Sequence, residues 1–462
     1  MYGKNHDKTV KDWAAQIHLE DVKERELKAE IKEMEETEFH SPEHLESLKE
    51  DLKQHNATRH SGFCITGDNI DLTITPRQVT RQNQKKSLHY FNHMAVKNRV
   101  SSMHLPADAP LGEASSFPVT EILPNHDDNM QLRTEMSILA GRVIAEHLPR
   151  LSWIKDHLPS LDHQYMKEMK KKSDIVHLGI LMKNENSSDG IRDIMEHLHE
   201  EYVPGHGTLH PVPTVSSGDL LTIERESNMQ AERRDEDDKS PSARFDGLIP
   251  TIDDFHFLAN GYQAFYKMMY DSGSAGDIGT LYSARTILEA NNVTKNPMND
   301  INAAQEFLDK YTDALILAAA MTYFGLDTVE SAPTKNIPQE DGDNRVMDVL
   351  GGFVDAYAIA SEEDFEKARK EQLKCPYCGK NYVIKGTGLK SLRDHVDAKH
   401  SKVAVDDAVQ GRGNTQYINE EDSVFKYACS TLGQCLLARN FEDARKFGDG
   451  GRIVTDCTSF YA

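Results

Sequence analysis

The sequence predicts an α/β core with a partly parallel sheet, joined to a large, mainly α-helical insertion and a small ββα zinc finger. Three observations predict it. Apolar runs of strand length, at 62–71, 175–182 and 248–252, alternate with helical patterns, as in chains that build parallel sheets. Residues 257–330 carry helical periodicity broken only by a Gly/Ser turn at 272–279. Cys375-Pro-Tyr-Cys378 is followed, after sixteen residues, by His395-Val-Asp-Ala-Lys-His400. Two thiolates and two imidazoles at that spacing are the ligand set of a tetrahedral structural zinc.

In chain order, residues 1–58 form a charged helical region. Leu27, Ile31 and Met34 fall at helical spacing, Ser41-Pro42 reads as N-cap and first turn, and Leu45, Leu48 and Leu52 line one face. This is a helical hairpin or short coiled coil, either a solvated pair or a surface for a protein partner. Residues 59–256 form the α/β core. It starts with the strand at 62–71 and continues through a mixed stretch at 72–120 with a basic run of Arg77, Arg81, Lys85, Lys86, Lys97 and Arg99. Leu132, Met136, Leu139, Val143 and Ile144 then form a helical stripe, and Pro149 and Pro159 break the run. The strand at 175–182 precedes a helix capped by Ser188, with Ile191, Ile194, Met195 and Leu198 on its face. The charge run 233–239 reads as a solvated loop. Residues 257–374 form the helical insertion, 375–400 the finger and 401–462 a C-terminal helical segment with its clearest helix near 423–444.

The bulk properties exclude several classes. The net charge of −22 rules out non-specific polyanion binding by the chain as a whole, and confines DNA or RNA contact to local basic patches or bridging divalent cations. Outside the finger, Cys64, Cys429, Cys435 and Cys457 are too sparse for a disulfide framework, which fits an intracellular setting. The N-terminus lacks the apolar stretch of a signal peptide. The longest apolar run, 314–321, is too short to cross a membrane.

Within the finger, Tyr382 and Leu392 stand where the small apolar core belongs. Metal binding contributes folding free energy on the order of 10–16 kcal/mol in isolated finger peptides. The base-facing helix positions would be Gly388, Ser391 and Asp394, a set without the Arg, Asn or Gln that reads bases bidentately. Lys374, Lys380, Lys385, Lys390 and Arg393 are placed for phosphates. A folding staple and a nucleic-acid contact both fit.

Three strand-like segments end in aspartate: at Asp68 and Asp71, at Asp219, and at Asp254. Strand ends of an α/β sheet share one edge, where ligands bind. Carboxylates there suit Mg²⁺ or Mn²⁺, which relieve their mutual repulsion and polarise a phosphate. Aspartate at a strand end is also ordinary turn chemistry.

Several strings in fixed order carry a resemblance: Gly67-Asp68-Asn-Ile-Asp71, Ser87-Leu-His-Tyr-Phe91, Ala95-Val-Lys-Asn-Arg99, Leu178-Gly-Ile-Leu-Met-Lys183, Gly218-Asp219-Leu-Leu-Thr222, Gly247-Leu-Ile-Pro250, Asp254-Phe-His256, Gly279-Thr-Leu-Tyr282 and Leu436-Leu-Ala-Arg439. Over about residues 60–452 the chain resembles the family of unknown function DUF6589, with the finger as an insert. The resemblance implies kinship with cut-and-paste transposases and a ribonuclease-H-like core. Asp68 or Asp71 would then be the first acid, Asp219 the second and Asp254 a further candidate. A late acid on a final helix has no counterpart before Ala462, so the resemblance implies a core that is incomplete or truncated.

These readings lead to a transposon-derived, nuclear zinc-finger protein without an intact catalytic site. The nuclear assignment follows from the finger and the resemblance. The alternatives are a metal-dependent DNA strand-transfer enzyme or nuclease using Asp68 and Asp219, and a protein-interaction scaffold acting through the N-terminal helices.

Overall fold

The computed structural model describes residues 6–36, 41–102, 123–234, 237–336, 343–359, 372–374, 381–383, 399 and 418–461. In chain order the elements are α1 (His6–Glu36), α2 (Pro42–Thr58), β1 (Phe63–Ile74), β2 (Lys86–Lys97), α3 (His126–His147), α4 (Met166–Met169), β3 (Ile175–Leu181), α5 (Ser188–Tyr202), β4 (Thr214–Gly218), α6 (Leu220–Arg234), β5 (Leu248–Ile252) and α7 (Asp254–Met269). They continue with α8 (Leu281–Ile287), α9 (Ile301–Phe324), α10 (Asp343–Tyr357), β6 (Gln372–Lys374), β7 (Asn381–Val383), α11 (Ile418–Phe447) and α12 (Gly450–Tyr461). The chain divides into two compact units, residues 1–117 with 163–257, and 118–162 with 258–462.

The first unit is a mixed sheet of order β3-β2-β1-β4-β5. β1 pairs antiparallel with β2 and β2 antiparallel with β3, whereas β1 with β4 and β4 with β5 are parallel. Its core forms because one side of β1, β2 and β3 is largely apolar. Phe63 and Ile65 of β1, Phe91 and Ala95 of β2, and Val176 and Leu178 of β3 cluster with Ile191, Ile194, Met195 and Leu198 of α5. Fully burying an aliphatic side chain of this size contributes about 1.5–3 kcal/mol. The α5 face is the one its periodicity predicts. Its cap is Ser187, one residue before the expected Ser188, with the side chain accepting from Gly190 N at 3.1 Å.

Residues 1–58 divide in two. Val10, Ala14 and Ile17, spaced for one helical face, are buried in the core just described. The rest of α1 pairs with α2 as a helical hairpin, with Leu48 buried and Lys49 Nζ 2.9 Å from Glu35 Oε1. Strand β2 lies in the stretch that sequence reading leaves as mixed. Lys86, Ser87, His89 and Asn92 hide its alternation, and twelve paired positions along β1 make it a strand. Arg233 and Arg234, expected in a loop, end helix α6.

The second unit, among its described residues, is helical apart from the short strands β6 and β7. Residues 118–162 belong here rather than with the sheet. The reason is α3, on which Leu132, Met136, Leu139, Ala140, Val143 and Ile144 are all buried. They pack among Ile316, Ala320 and Phe324 of α9, Val346, Leu350 and Phe353 of α10, and Leu432 and Leu436 of α11. Asn125 starts α3 with a complete capping box to Asp128. α9 is capped by Asp300 and stopped by Gly325 at φ 64, a left-handed position suited to glycine. Asn440 of α11 donates to Glu135 of α3 at 2.7 Å and to Asp456 of α12 at 2.9 Å. That last helix extends the chain beyond the end of the clearest C-terminal pattern. Among the described residues no helix is long and apolar enough to cross a membrane.

Candidate functional site

The strand register decides which acids meet. Thr66 of β1 aligns with Ser217 of β4, and Ser217 with Thr251 of β5. Side chains alternate along a strand, so the residues two positions further on share that row's face. These are Asp68, Asp219 and Asp253. Because β1, β4 and β5 run parallel, all three stand at the same edge of the sheet, Asp219 and Asp253 just past the ends of β4 and β5 and Asp68 within β1, which runs on to Ile74. Neighbouring strands lie about 4.8 Å apart, which sets the spacing of the backbones that carry them. Thr66 Oγ1 and Ser217 Oγ, 2.9 Å apart, tie the row together, and Asp253 N donates to Gly218 O at 3.1 Å.

Two glycines let the backbone come close here. A Cβ on Gly67 would sit 2.0 Å from Phe91 Cζ, and one on Gly218 would sit 3.1 Å from Gly67 O. Each of these glycines directly precedes an acid, Asp68 or Asp219.

The local chemistry of the acids differs. Asp68 accepts from Asn69 N at 2.8 Å. Loss of hydration pushes its pKa up despite the Asn69 hydrogen bond and His256, with Asp219 and Asp253 adding to the rise. Asp219 caps α6, its Oδ1 accepting from Thr222 N at 2.7 Å. Asp253 is the most engaged. Its Oδ1 accepts from Phe255 N at 2.8 Å and His256 N at 3.1 Å, and its Oδ2 lies 3.2 Å from His256 Nδ1. Burial pulls the Asp253 pKa upward, but the bonds to His256 and Phe255 outweigh it and hold the group below the usual range. His256 is raised in return, chiefly by that Asp253 bond, against its own desolvation and with Asp68 and Asp219 contributing.

Behind Asp219 lie two buried glutamates that sequence reading misses. Glu185 Oε2 accepts from Thr222 Oγ1 at 3.1 Å, and its Oε1 is 3.8 Å from Arg225 Nη1. Burial raises its pKa, and Asp219 and Asp68 add to the rise. Glu226, with no solvent exposure, accepts from Ser216 Oγ at 3.0 Å. Burial pushes its carboxyl up to about 7.

Of the four aspartates singled out by sequence, Asp68 and Asp219 converge. Asp71 does not, for a residue three positions on faces the other side of the strand, and it pairs with His89 Nδ1 at 2.6 Å. Asp254 opens α7 as an exposed residue, and its neighbour Asp253 takes the place at the edge. His256 lies in the first turn of α7. The row parity from Thr251 was the signal that separates Asp253 from Asp254, but it needs the register to be used.

The hard oxygen donors at this edge suit Mg²⁺ or Mn²⁺ in kind. Three or more of them do not come together. Among the described residues no group of three or more His, Cys, Asp or Glu side chains is placed to hold a metal ion. Asp253 is committed to its helix cap and to His256.

Cys375, Cys378, His395 and His400, the zinc ligands expected from sequence, lie outside the described residues. What is described is β6 paired antiparallel with β7, Leu373 opposite Tyr382, so that the two cysteines fall in the segment joining the strands.

A family model, described as a family of unknown function (DUF6589), matches residues 113–459. The match starts later than the 60–452 span of the resemblance, after the β1–β2 pair, and includes Asp219, Asp253 and the finger segment. No curated protein and no solved structure matches the chain.

Proposed function

The chain belongs to the DUF6589 family, and from that premise we propose that it is a transposon-derived zinc-finger protein that contacts nucleic acid in the nucleus. In this reading its core is ribonuclease-H-like and its catalytic site is not intact. The sheet order β3-β2-β1-β4-β5, with β2 antiparallel between β3 and β1, supports the ribonuclease-H-like reading. So does an acid on the central strand β1 beside one at the end of β4.

The observation that carries the loss of chemistry is the fate of the third carboxylate. Asp253 stands in the row with Asp68 and Asp219, but it spends both oxygens on α7 and His256. A cation at this edge would be left with Asp68 and Asp219, and no step is assigned to it. Zinc would be held by Cys375, Cys378, His395 and His400, where it contributes folding free energy.

The test is a nicking assay of the purified full chain on supercoiled and linear DNA with Mg²⁺ or Mn²⁺. No cleavage above an Asp219→Ala control is expected. Cleavage that disappears in Asp219→Ala would overturn the reading. It would favour instead the metal-dependent nuclease or strand-transfer enzyme, the second reading, which rests on the convergence of Asp68 with Asp219.

A further inference from the structure

Beyond Asn69 and Phe91 the strands β1 and β2 leave the rest of the sheet. The pairing of β1 with β4 covers only Cys64–Thr66, and that of β2 with β3 begins at Phe91. Ile70–Ile74 and Lys86–Tyr90 pair only with each other, as a two-stranded ribbon about 17 Å long at 3.4 Å per residue. A tight turn lies beyond them, with Thr80 and Asn83 exchanging backbone hydrogen bonds of 3.1 Å in both directions. Arg81 and Gln82 are thereby held at the turn's apex.

Charge sets this ribbon apart. Its one acid, Asp71 near the base, is paired with His89, and residues 72–100 beyond it contain no Asp or Glu, in a chain whose net charge is −22. Arg77, Arg81, Lys85 and Lys86 are all exposed. Six residues separate Asp68 from Ile74, about 20 Å of strand. That exceeds the Debye length of about 8 Å at physiological salt, so the carboxylates at the sheet edge leave the tip positive. Shape agrees with charge, since a major groove admits a two-stranded β-ribbon and Arg and Gln are base-reading side chains.

We propose that the β1–β2 ribbon is a docking element for duplex DNA, with Arg77, Arg81, Lys85 and Lys86 on phosphates or base edges and the turn at Arg81-Gln82 entering the groove. The inference rests on the reading of the chain as a nucleic-acid-contacting protein, and it adds the surface and the form of the partner. β1 runs parallel to β4 and β5, so the ribbon projects from the same edge that carries Asp68, Asp219 and Asp253. A duplex held by the ribbon lies beside that edge.

The experiment is fluorescence anisotropy of the full chain with a 30-bp DNA duplex between 50 and 200 mM salt. Four phosphate contacts give a slope of about −3.6 in log K against log salt, roughly a 150-fold loss of affinity over that range. The combined Arg77→Ala, Arg81→Ala, Lys85→Ala and Lys86→Ala variant is expected to bind at least 10-fold more weakly at 50 mM and to lose most of that slope. Circular dichroism confirms its fold, and a companion variant with Arg77→Lys and Arg81→Lys keeps the slope. Wild-type binding that the alanine variant retains in full overturns the ribbon's role and leaves the nucleic-acid reading standing. A wild-type chain that binds no duplex at 50 mM overturns both. Preference for an RNA duplex overturns the assignment to DNA.

Discussion

Replacing Glu226 by Gln tests the electrostatics behind the acidic edge. Glu226 is fully buried on α6, and its carboxyl accepts from Ser216 Oγ at 3.0 Å. Burial raises its pKa from 4.5 to about 7, the Ser216 bond opposing and Glu185 reinforcing the rise. The folded chain therefore holds this proton over a range where the unfolded chain has released it. Stability is highest below the unfolded pKa and falls as pH rises through 4.5 toward 7, then levels off. Integrated from pH 5 to pH 8, a shift of this size costs about 2–3 kcal/mol, at 1.36 kcal/mol per pKa unit. Glu226→Gln keeps an acceptor for Ser216 and removes the titration. Urea denaturation of both chains at pH 5 and pH 8, in a Trp153→Phe background, reports the first unit through Trp13, whose ring lies 6.0 Å from that of Phe63. The variant should gain about 2–3 kcal/mol on wild type between the two pH values, whatever its offset at pH 5. A difference that does not change with pH would refute the assignment of a buried, proton-holding Glu226.

Two further outcomes are expected. Gly67→Ala forces a methyl to within 2.0 Å of Phe91 Cζ, and Phe91, only 1% exposed, has nowhere to go. A loss of about 1–3 kcal/mol is expected, read as a lower urea midpoint, with partial recovery when Phe91→Leu is added. Elemental analysis of the purified chain should find stoichiometric zinc that Cys375→Ser removes, and protein without zinc in the wild type would contradict the finger.

Much of the first unit was legible from local pattern. The strands at 175–182 and 248–252 follow from apolar runs of strand length, and the α5 face and the helical hairpin from period-3.6 spacing, which is physics of one segment at a time. The family relation was legible for the same reason, since it rests on short strings in order. β2 was not, because its polar residues belong to a ribbon that is solvated along much of its length. Nor was the membership of α3, whose partners on α9, α10 and α11 are remote in sequence.

The site shows the same division. Sequence placed aspartates at strand ends, since Asp68 and Asp219 each follow a glycine in a strand-like run. It left Asp71 level with Asp68, and favoured Asp254 over Asp253. Which carboxylates share an edge depends on the Thr66–Ser217–Thr251 row, a product of pairing between segments about 150 and 35 residues apart. Residue type and local periodicity are properties of neighbours along the chain, so the amino-acid order alone determined the elements and their chemistry. Register, burial and the charge state of Glu226 arise only when distant segments exclude water from one another, and the tertiary structure alone decided those.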